Sequence, residues 1–466
     1  MFRHENYLLV TAVHVDNSFD ELRIELLQQF AVGRSPARQQ IRRSLQDLER
    51  CAIRAVTRER IGFRLSYVEV VEGSERHLRE LLASGGTVLG YVYPHTPLEL
   101  FLAHGITPSL VRTNQSVQGG FEASLQTFSC SLTRNLFSQR SSGALPPFSG
   151  LLFPTNTCDS LHNVADVWRH RFPEDKLFRL TYPAARFDEG SVQFLAEELR
   201  ILSESLEETY GRALANDDLL AAVSLVNDFR NAAQTLYSCR VVDPCLVSYS
   251  ELARMVREFL IVPNASTIDQ ISKSASAASR ILGERGQLSL VKSLQKGLLT
   301  GALSHIKITV ESKSPRILVT GGMIEPQAIA SLFRGSTKSD NEVVVLDLLS
   351  LGFKTAFTPP VILKDDPFVA MSRSILGAPS EPTQEGLPGR LEFLRLLLSK
   401  LSVDGLVVCE QSFCDPDQFE APSLAKVASD LDVPAVRLPM DPELSDRARL
   451  EGRIQSFLET LEGGQR

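Results

Sequence analysis

The chain has 466 residues, 43% of them hydrophobic and 23% charged, with 49 basic against 56 acidic side chains for a net charge of −7. At ~150 residues per domain, that length allows roughly three folding units, or two large ones with a connector, and the composition excludes wholesale disorder. No basic block offers itself to nucleic acid or an anionic membrane, and no apolar run approaches the ~18 residues of a spanning helix. The N-terminus, MFRHENYLLVTAVHVDN, has only a short apolar run and lacks the form of a secretory signal. A soluble, cytoplasmic protein is expected.

Residues 18–84 carry Leu and Ile at three- and four-residue spacings among Arg, Glu and Gln, so the N-terminal segment, 1–85, is expected to be helical. TVLGYVY (87–93) reads as a strand closed by Pro94 and Pro97, and 98–104 as a helix ended by Gly105 and Pro108. A Ser/Gly/Pro-rich stretch, 138–150, marks an exposed loop before an apolar run, 151–154, short enough to be a buried strand. These elements make a first α/β lobe, 86–188. A long helical pattern from 189 to about 237 carries no recognisable chemistry and opens a mainly helical connector, 189–313. From 314 the pattern changes: RILVTGG, EVVVLDL, GLVVCEQ and PAVRLPMD read as strands alternating with helices, a second α/β lobe over 314–466. The expected fold is α/β, two doubly wound parallel-sheet lobes with helical N-terminal and connecting segments. Sites in such sheets lie beyond the carboxyl ends of the strands.

The familiar catalytic signatures are missing. There is no G-x-x-x-x-G-K-[ST], no H-E-x-x-H and no G-x-S-x-G, and the Gly321–Gly322 pair falls short of G-x-G-x-x-G. A glycine pair after a strand serves a tight turn more often than a phosphate cradle. The seven cysteines, Cys51, Cys130, Cys158, Cys239, Cys245, Cys409 and Cys414, are scattered, with no Cys-x-x-Cys among them, so reduced thiols are expected. Three attract attention by placement. Cys130 opens CSLTRN just before the exposed loop, while Cys158 and Cys414 each follow a strand and precede an aspartate. Structural thiols behave as small hydrophobes and keep apolar neighbours. Three thiolates without a fourth can hold an iron–sulfur cube and leave one iron open, although spacing alone identifies no cluster.

The chain resembles the 2-hydroxyacyl-CoA dehydratase family, which includes the related subunits of ATP-dependent benzoyl-CoA reductases. GYVYPHTPLELFLAHGITP (90–108) is similar to the family's Gly-Tyr, Pro-x-Glu-Leu and Ala-x-Gly segment; CSLTRN matches its Cys-Ser-x-x-Arg at Cys130, Ser131 and Arg134. FPTNTCDSLHNVADVW resembles the Thr-Cys-Asp segment and its helix, at Cys158, Asp159, Asn163 and Trp168. DGLVVCEQSFCDPDQFEAPSL matches the Asp-Gly-(strand)-Phe-Cys-Asp-Pro segment at Asp404, Gly405, Phe413, Cys414, Asp415 and Pro416, and RLEGRIQSFLETLEG is similar to the closing helix.

This resemblance implies Rossmann-like lobes and one 4Fe–4S cluster per chain between them, held by Cys130, Cys158 and Cys414. It also implies chemistry on an acyl-CoA thioester. One electron at very low potential gives a ketyl radical that expels a 2-hydroxyl; in the aryl-CoA relatives the electron enters an aromatic ring. ATP would be used by a separate iron–sulfur activator protein, and the subunit would pair with a homologous subunit or with itself. The alternatives are an aryl-CoA reductase subunit, or a non-catalytic partner that completes the dimer or relays electrons. Where relatives carry Asp-Asp-Leu-Cys-x-Gly-x-Arg this chain has DLLSLGFK, with Ser350 and Lys354 in place of Cys and Arg, which favours one cubane over two. Cys409, five residues before Cys414 on a strand, should face the other way as a core thiol, and Cys239 and Cys245 are expected to be structural. His95 is a candidate for proton transfer or substrate binding, or else a solvated loop residue. Glu99 is expected to serve the positive end of the following helix.

Overall fold

A computed structural model describes residues 67–464 except 118, 185–186, 309–313, 337–342 and 365. Of the helical expectation over 18–84, only 67–84 falls within the described residues, and Tyr67–Ala83 forms helix α1. The rest, with Cys51, lies outside them.

The first sheet is built from β1 (Val88–Tyr91), β2 (Thr107–Leu110), β3 (Gly150–Thr155) and β4 (Leu177–Thr181), all parallel, in the order β2-β1-β3-β4. β1 and β3 are buried throughout, as central strands covered by helices on both faces must be. Helices α2 (Leu98–Ala103), α3 (Ser131–Ser141) and α4 (Asp159–Arg171) belong to this lobe. The sequence reading missed β2 and β4. Both are edge strands, where pairing on one side suffices, and β2 accommodates Pro108, which cannot donate to a ladder and is confined to edges. In β4 only alternate residues, Phe178 and Leu180, are buried.

The second sheet repeats the design with β5 (Ile317–Thr320), β6 (Val344–Leu348), β7 (Gly405–Gln411) and β8 (Ala435–Met440), parallel in the order β6-β5-β7-β8. The two α/β lobes expected from the strand–helix alternation are thus present. Between the sheets run α5 (Glu189–Tyr210), α6 (Asn216–Val242), α7 (Tyr249–Ile261), α8 (Ala265–Glu284) and α9 (Leu288–Thr300). Their boundaries follow local chemistry: Asp188 caps α5 by accepting from the Ser191 amide at 2.7 Å, and Asn264 with Thr267 forms a capping box on α8. α10 (Pro326–Ser336), α11 (Pro367–Leu376), α12 (Leu387–Lys400), α13 (Asp415–Ser429) and α14 (Arg447–Gly464) complete the second lobe. No helix among the described residues is long and apolar enough to cross a membrane.

In both sheets the strand order reverses between the first strand and the third, β1/β3 in one lobe and β5/β7 in the other. A crevice opens at such a point because the crossovers leave to opposite sides. The segments that leave those four strands are 92–97, 156–158, 321–325 and 412–414.

Candidate functional site

Cys158 and Cys414 leave β3 and β7, the switch-point strands, and each is the residue immediately before a helix, α4 and α13. Cys130 holds the same place before α3. A helix N-terminus presents unpaired backbone N–H groups and the positive end of the helix dipole, so it favours an anionic sulfur. The arrangement recurs three times: the amides of Leu132 and Thr133 favour the Cys130 thiolate, those of Leu161 and Ser160 the Cys158 thiolate and that of Asp417 the Cys414 thiolate, although none of the three sulfurs caps its helix with a hydrogen bond.

Two of the turns into these helices hold non-glycine residues in the left-handed region, Asn156 at φ 61° and Phe413 at φ 58°. For a bulky phenylalanine this costs roughly 1–2 kcal/mol, and such strain collects where a backbone must aim a side chain. Asn156 is held by its amide donating to the Tyr182 carbonyl at 2.8 Å. The Phe413 ring lies against the Arg134 guanidinium at 5.1 Å, with Phe121 near the same group at 5.3 Å.

The cysteine segments meet. The Ser131 amide donates to the Ser412 carbonyl at 3.0 Å, and Gln411 Nε2 donates to Ser131 Oγ at 2.8 Å, tying the Cys130 turn to the Cys414 turn across the lobes. Cys414 and Cys130 are neighbours that titrate against each other: the Cys414 thiol lowers the Cys130 pKa, and Cys130 together with burial raises that of Cys414. Burial pushes the Cys158 thiol up to about 11, and the neighbouring Cys130 charge adds to this. Among the described residues no group of three or more His, Cys, Asp or Glu surrounds a point closely enough to hold a single metal ion.

The remaining cysteines separate cleanly. Cys409 is 1% exposed inside the second lobe's core with Val407, Leu438 and Val319, whereas Cys414 lies beyond the end of β7. Cys239 is buried in α6, but Cys245 is exposed, so its assignment to a structural interior role is not supported.

His95 corrects the picture of a solvated loop residue. It is 3% exposed, with Nε2 3.3 Å from Glu381 Oε1, an approach too poorly aligned to be a hydrogen bond, and Nδ1 has no partner among the described residues. Glu381 is the centre of a buried charge network. Ser350 Oγ donates to Glu381 Oε2, and Lys354 Nζ reaches the same oxygen at 3.5 Å. Burial alone would raise the Glu381 pKa, but Lys354, His95 and Ser350 outweigh it and bring the carboxyl down to about 2. Both residues that depart from the family segment, Ser350 and Lys354, therefore turn toward a carboxylate. They sit on a tight π-type turn, Ser350–Lys354, absent from the sequence reading. Tyr93, whose ring packs on His95 and Tyr182 at 5.5 and 5.0 Å, hydrogen-bonds Thr383 and lies near both Glu381 and Cys158, so it links this network to the thiols.

Glu99 does open α2, and its charge is met within the protein, where Arg230 Nη1 stands 2.7 Å from Oε1 with both side chains buried.

The Gly321–Gly322 pair is neither a left-handed turn nor a cradle. Neither residue has positive φ; instead a Cβ on Gly322 would stand 2.3 Å from Asp417 Oδ1, and one on Gly321 would stand 2.8 Å from the Cys409 carbonyl. The glycines let the Asp417 carboxylate enter beneath β5, where the Gln411 amide holds it at 3.1 Å and burial raises its pKa to about 7. Gly322→Ala is expected to cost about 1–3 kcal/mol through overpacking. Denaturant unfolding should show the loss, and an unchanged midpoint would contradict this account of the pair.

Sequence reasoning singled out the three thiols and His95 but missed Glu381, Asp417 and the role of Tyr93. Glu381 lies in LGAPSEPTQEG, where no motif marks it, and its partners come from positions 95, 350 and 354.

Comparison with known proteins agrees with this architecture. The chain is 23% identical to one of the benzoyl-CoA reductase subunits of Thauera aromatica over 360 residues, covering 75% of this chain and 84% of the relative. It is 22% identical to the beta subunit of lactoyl-CoA dehydratase from Anaerotignum propionicum, covering 79% and 87%, and 22% identical to the beta subunit of (R)-2-hydroxyglutaryl-CoA dehydratase from Acidaminococcus fermentans, covering 82% and 95%. The relatives are dehydratase or reductase subunits. Residues 94–461 match the model of the family described as 2-hydroxyglutaryl-CoA dehydratase, D-component, a span that includes all three thiols, His95 and Glu381. The chain belongs to this family.

Proposed function

We propose that the chain is an iron–sulfur subunit of a 2-hydroxyacyl-CoA dehydratase-like enzyme, with one 4Fe–4S cluster held by Cys130, Cys158 and Cys414. The observation that carries the reading is that these thiols, each immediately before a helix, come close enough to act on one another's charge. That donor set fits a cluster, since thiolate sulfurs are its ligands and N–H bonds to them tune its potential. A cube puts each thiolate on its own iron, so the mutual influence of Cys414 and Cys130 belongs to the metal-free thiols. When bound, the cluster would supply an electron at low potential and one iron without a protein thiolate, open to an oxygen of an acyl-CoA thioester.

The protein's own part is positioning and proton handling. Phe413, gripped by Arg134, fixes the turn that aims Cys414. Gln411 and Ser131 keep the two lobes in register across the site. His95, oriented by the Glu381 contact, is the group that would hold or deliver a proton at Nδ1. In this reading the partner is a homologous subunit or a second copy, and an ATP-dependent activator supplies the electron.

The test is product analysis under anaerobic conditions with the purified complex, activator and ATP, offering a 2-hydroxyacyl-CoA and benzoyl-CoA in parallel. An enoyl-CoA product is expected. Ring reduction instead would establish the aryl-CoA reductase alternative, which the Thauera relative favours. Neither product from a cluster-loaded complex would leave a non-catalytic partner. His95→Gln should lower turnover by about 10²-fold or more, the lower end of the effect of a positioned acid–base group, with iron content unchanged; undiminished turnover would remove His95 from the reaction.

A further inference from the structure

The second lobe contains a cavity of about 220 Å³ that none of the preceding assignments uses. Its location follows from topology. Thr320 and Gly321 at the end of β5 and Val408 and Cys409 on β7 form its inner wall, so it opens at the β5/β7 switch point. Helices α9, α12 and α13 close the other sides through Leu298, Leu394 and Leu424.

We propose that this cavity receives the apolar acyl or aryl group of the CoA thioester, a proposal that rests on the acyl-CoA reading above. Three observations lead there. The first is size: an apolar cavity of about 150 Å³ accepts benzene, so 220 Å³ takes a phenyl ring or an alkyl chain of about six carbons. The second is charge. The lining is mainly aliphatic and aromatic, and its cations already have partners, Lys354 with Glu381 at 3.5 Å and Arg390 with Glu420 in a buried ion pair. Arg390 is further held by Ser380 Oγ at 3.2 Å and the Gln384 carbonyl at 3.1 Å, so the site lacks the unmet charge that an anionic guest would require. The third is position. Asp417 lines the cavity and also lies close enough to Cys130 and Cys414 to act on both, while Lys354 lines it and reaches the Glu381–His95 network. A chain seated here would have its thioester end directed toward the thiols.

The experiment is calorimetric titration of the full chain, purified anaerobically with any subunit that accompanies it, against CoA, acetyl-CoA, butanoyl-CoA, hexanoyl-CoA and benzoyl-CoA. Burying each methylene at ~0.8 kcal/mol predicts a gain of roughly fourfold per carbon until the cavity fills, and benzoyl-CoA well ahead of acetyl-CoA. Leu424→Trp and Leu298→Trp, which fill the space from two different helices, should each remove the hexanoyl advantage and leave acetyl-CoA within about twofold of its original affinity. Affinity independent of chain length, with acetyl-CoA still bound, would overturn the cavity assignment and leave the acyl-CoA reading standing. Failure of every thioester to bind would overturn both.

Discussion

Cys414→Ala, Cys130→Ala and Cys158→Ala are each expected to abolish the iron content and brown absorbance of anaerobically purified protein, while Cys409→Ala retains both. Each of the first three thiols immediately precedes a helix, and removing one leaves a cube with two protein thiolates where affinity depends on soft sulfur. Cys409 is buried among apolar neighbours in the second lobe's core, so its loss trims packing only. Because all four variants delete the same atom, their contrast separates ligation from folding. Circular dichroism melts complete the control: Cys158 and Cys414 are only partly buried, and the buried Cys130 is judged against Cys409→Ala. Full iron retention in any of the first three would refute that residue as a ligand.

Glu381→Gln is expected to destabilise the fold by about 3–5 kcal/mol, the usual cost of breaking a buried ion pair from one side. The carboxylate is fully buried, and its removal strands Lys354, whose side chain is 9% exposed. The pH sign follows from its depressed pKa of about 2. The stabilisation is fully present above the unfolded value of ~4.3, and is lost as pH falls through the folded value. Wild type and Glu381→Gln should therefore differ by a constant amount between about pH 5 and 8 and converge in stronger acid. Adding Lys354→Met to Glu381→Gln should recover much of the loss, because the stranded cation is gone. A single variant as stable as wild type at pH 7 would contradict the network.

These two regions were not equally legible. The central strands β1, β3, β5 and β7 are apolar runs bounded by Gly and Pro, and burial on both faces makes such runs continuous, so they stand out in the sequence. The edge strands β2 and β4 lack that mark: one tolerates Pro108, the other is half-exposed. Cys158 and Cys414 could be picked out because a short strand places the residue after it at the sheet's carboxyl edge, a rule that needs no contact information. Cys130 lacks such a strand before it, and its place beside Cys414 depends on Gln411 and Ser131, which are 280 positions apart. Glu381 was invisible for the same reason, since its meaning comes from His95, Ser350 and Lys354, gathered by tertiary folding. The alternative of a solvated His95 fails because a polar turn residue reads as exposed until the second lobe closes over it.

The central claim is that these three thiols share one inorganic cluster. The most direct measurement is chemical: iron and acid-labile sulfide per chain in protein purified without oxygen, with Mössbauer spectra on the same sample. The account predicts about four of each per chain, the composition of one cubane, with one iron distinguishable from the other three by its different ligand. Protein that folds and carries no iron, or whose iron sits at a single mononuclear site, would contradict it.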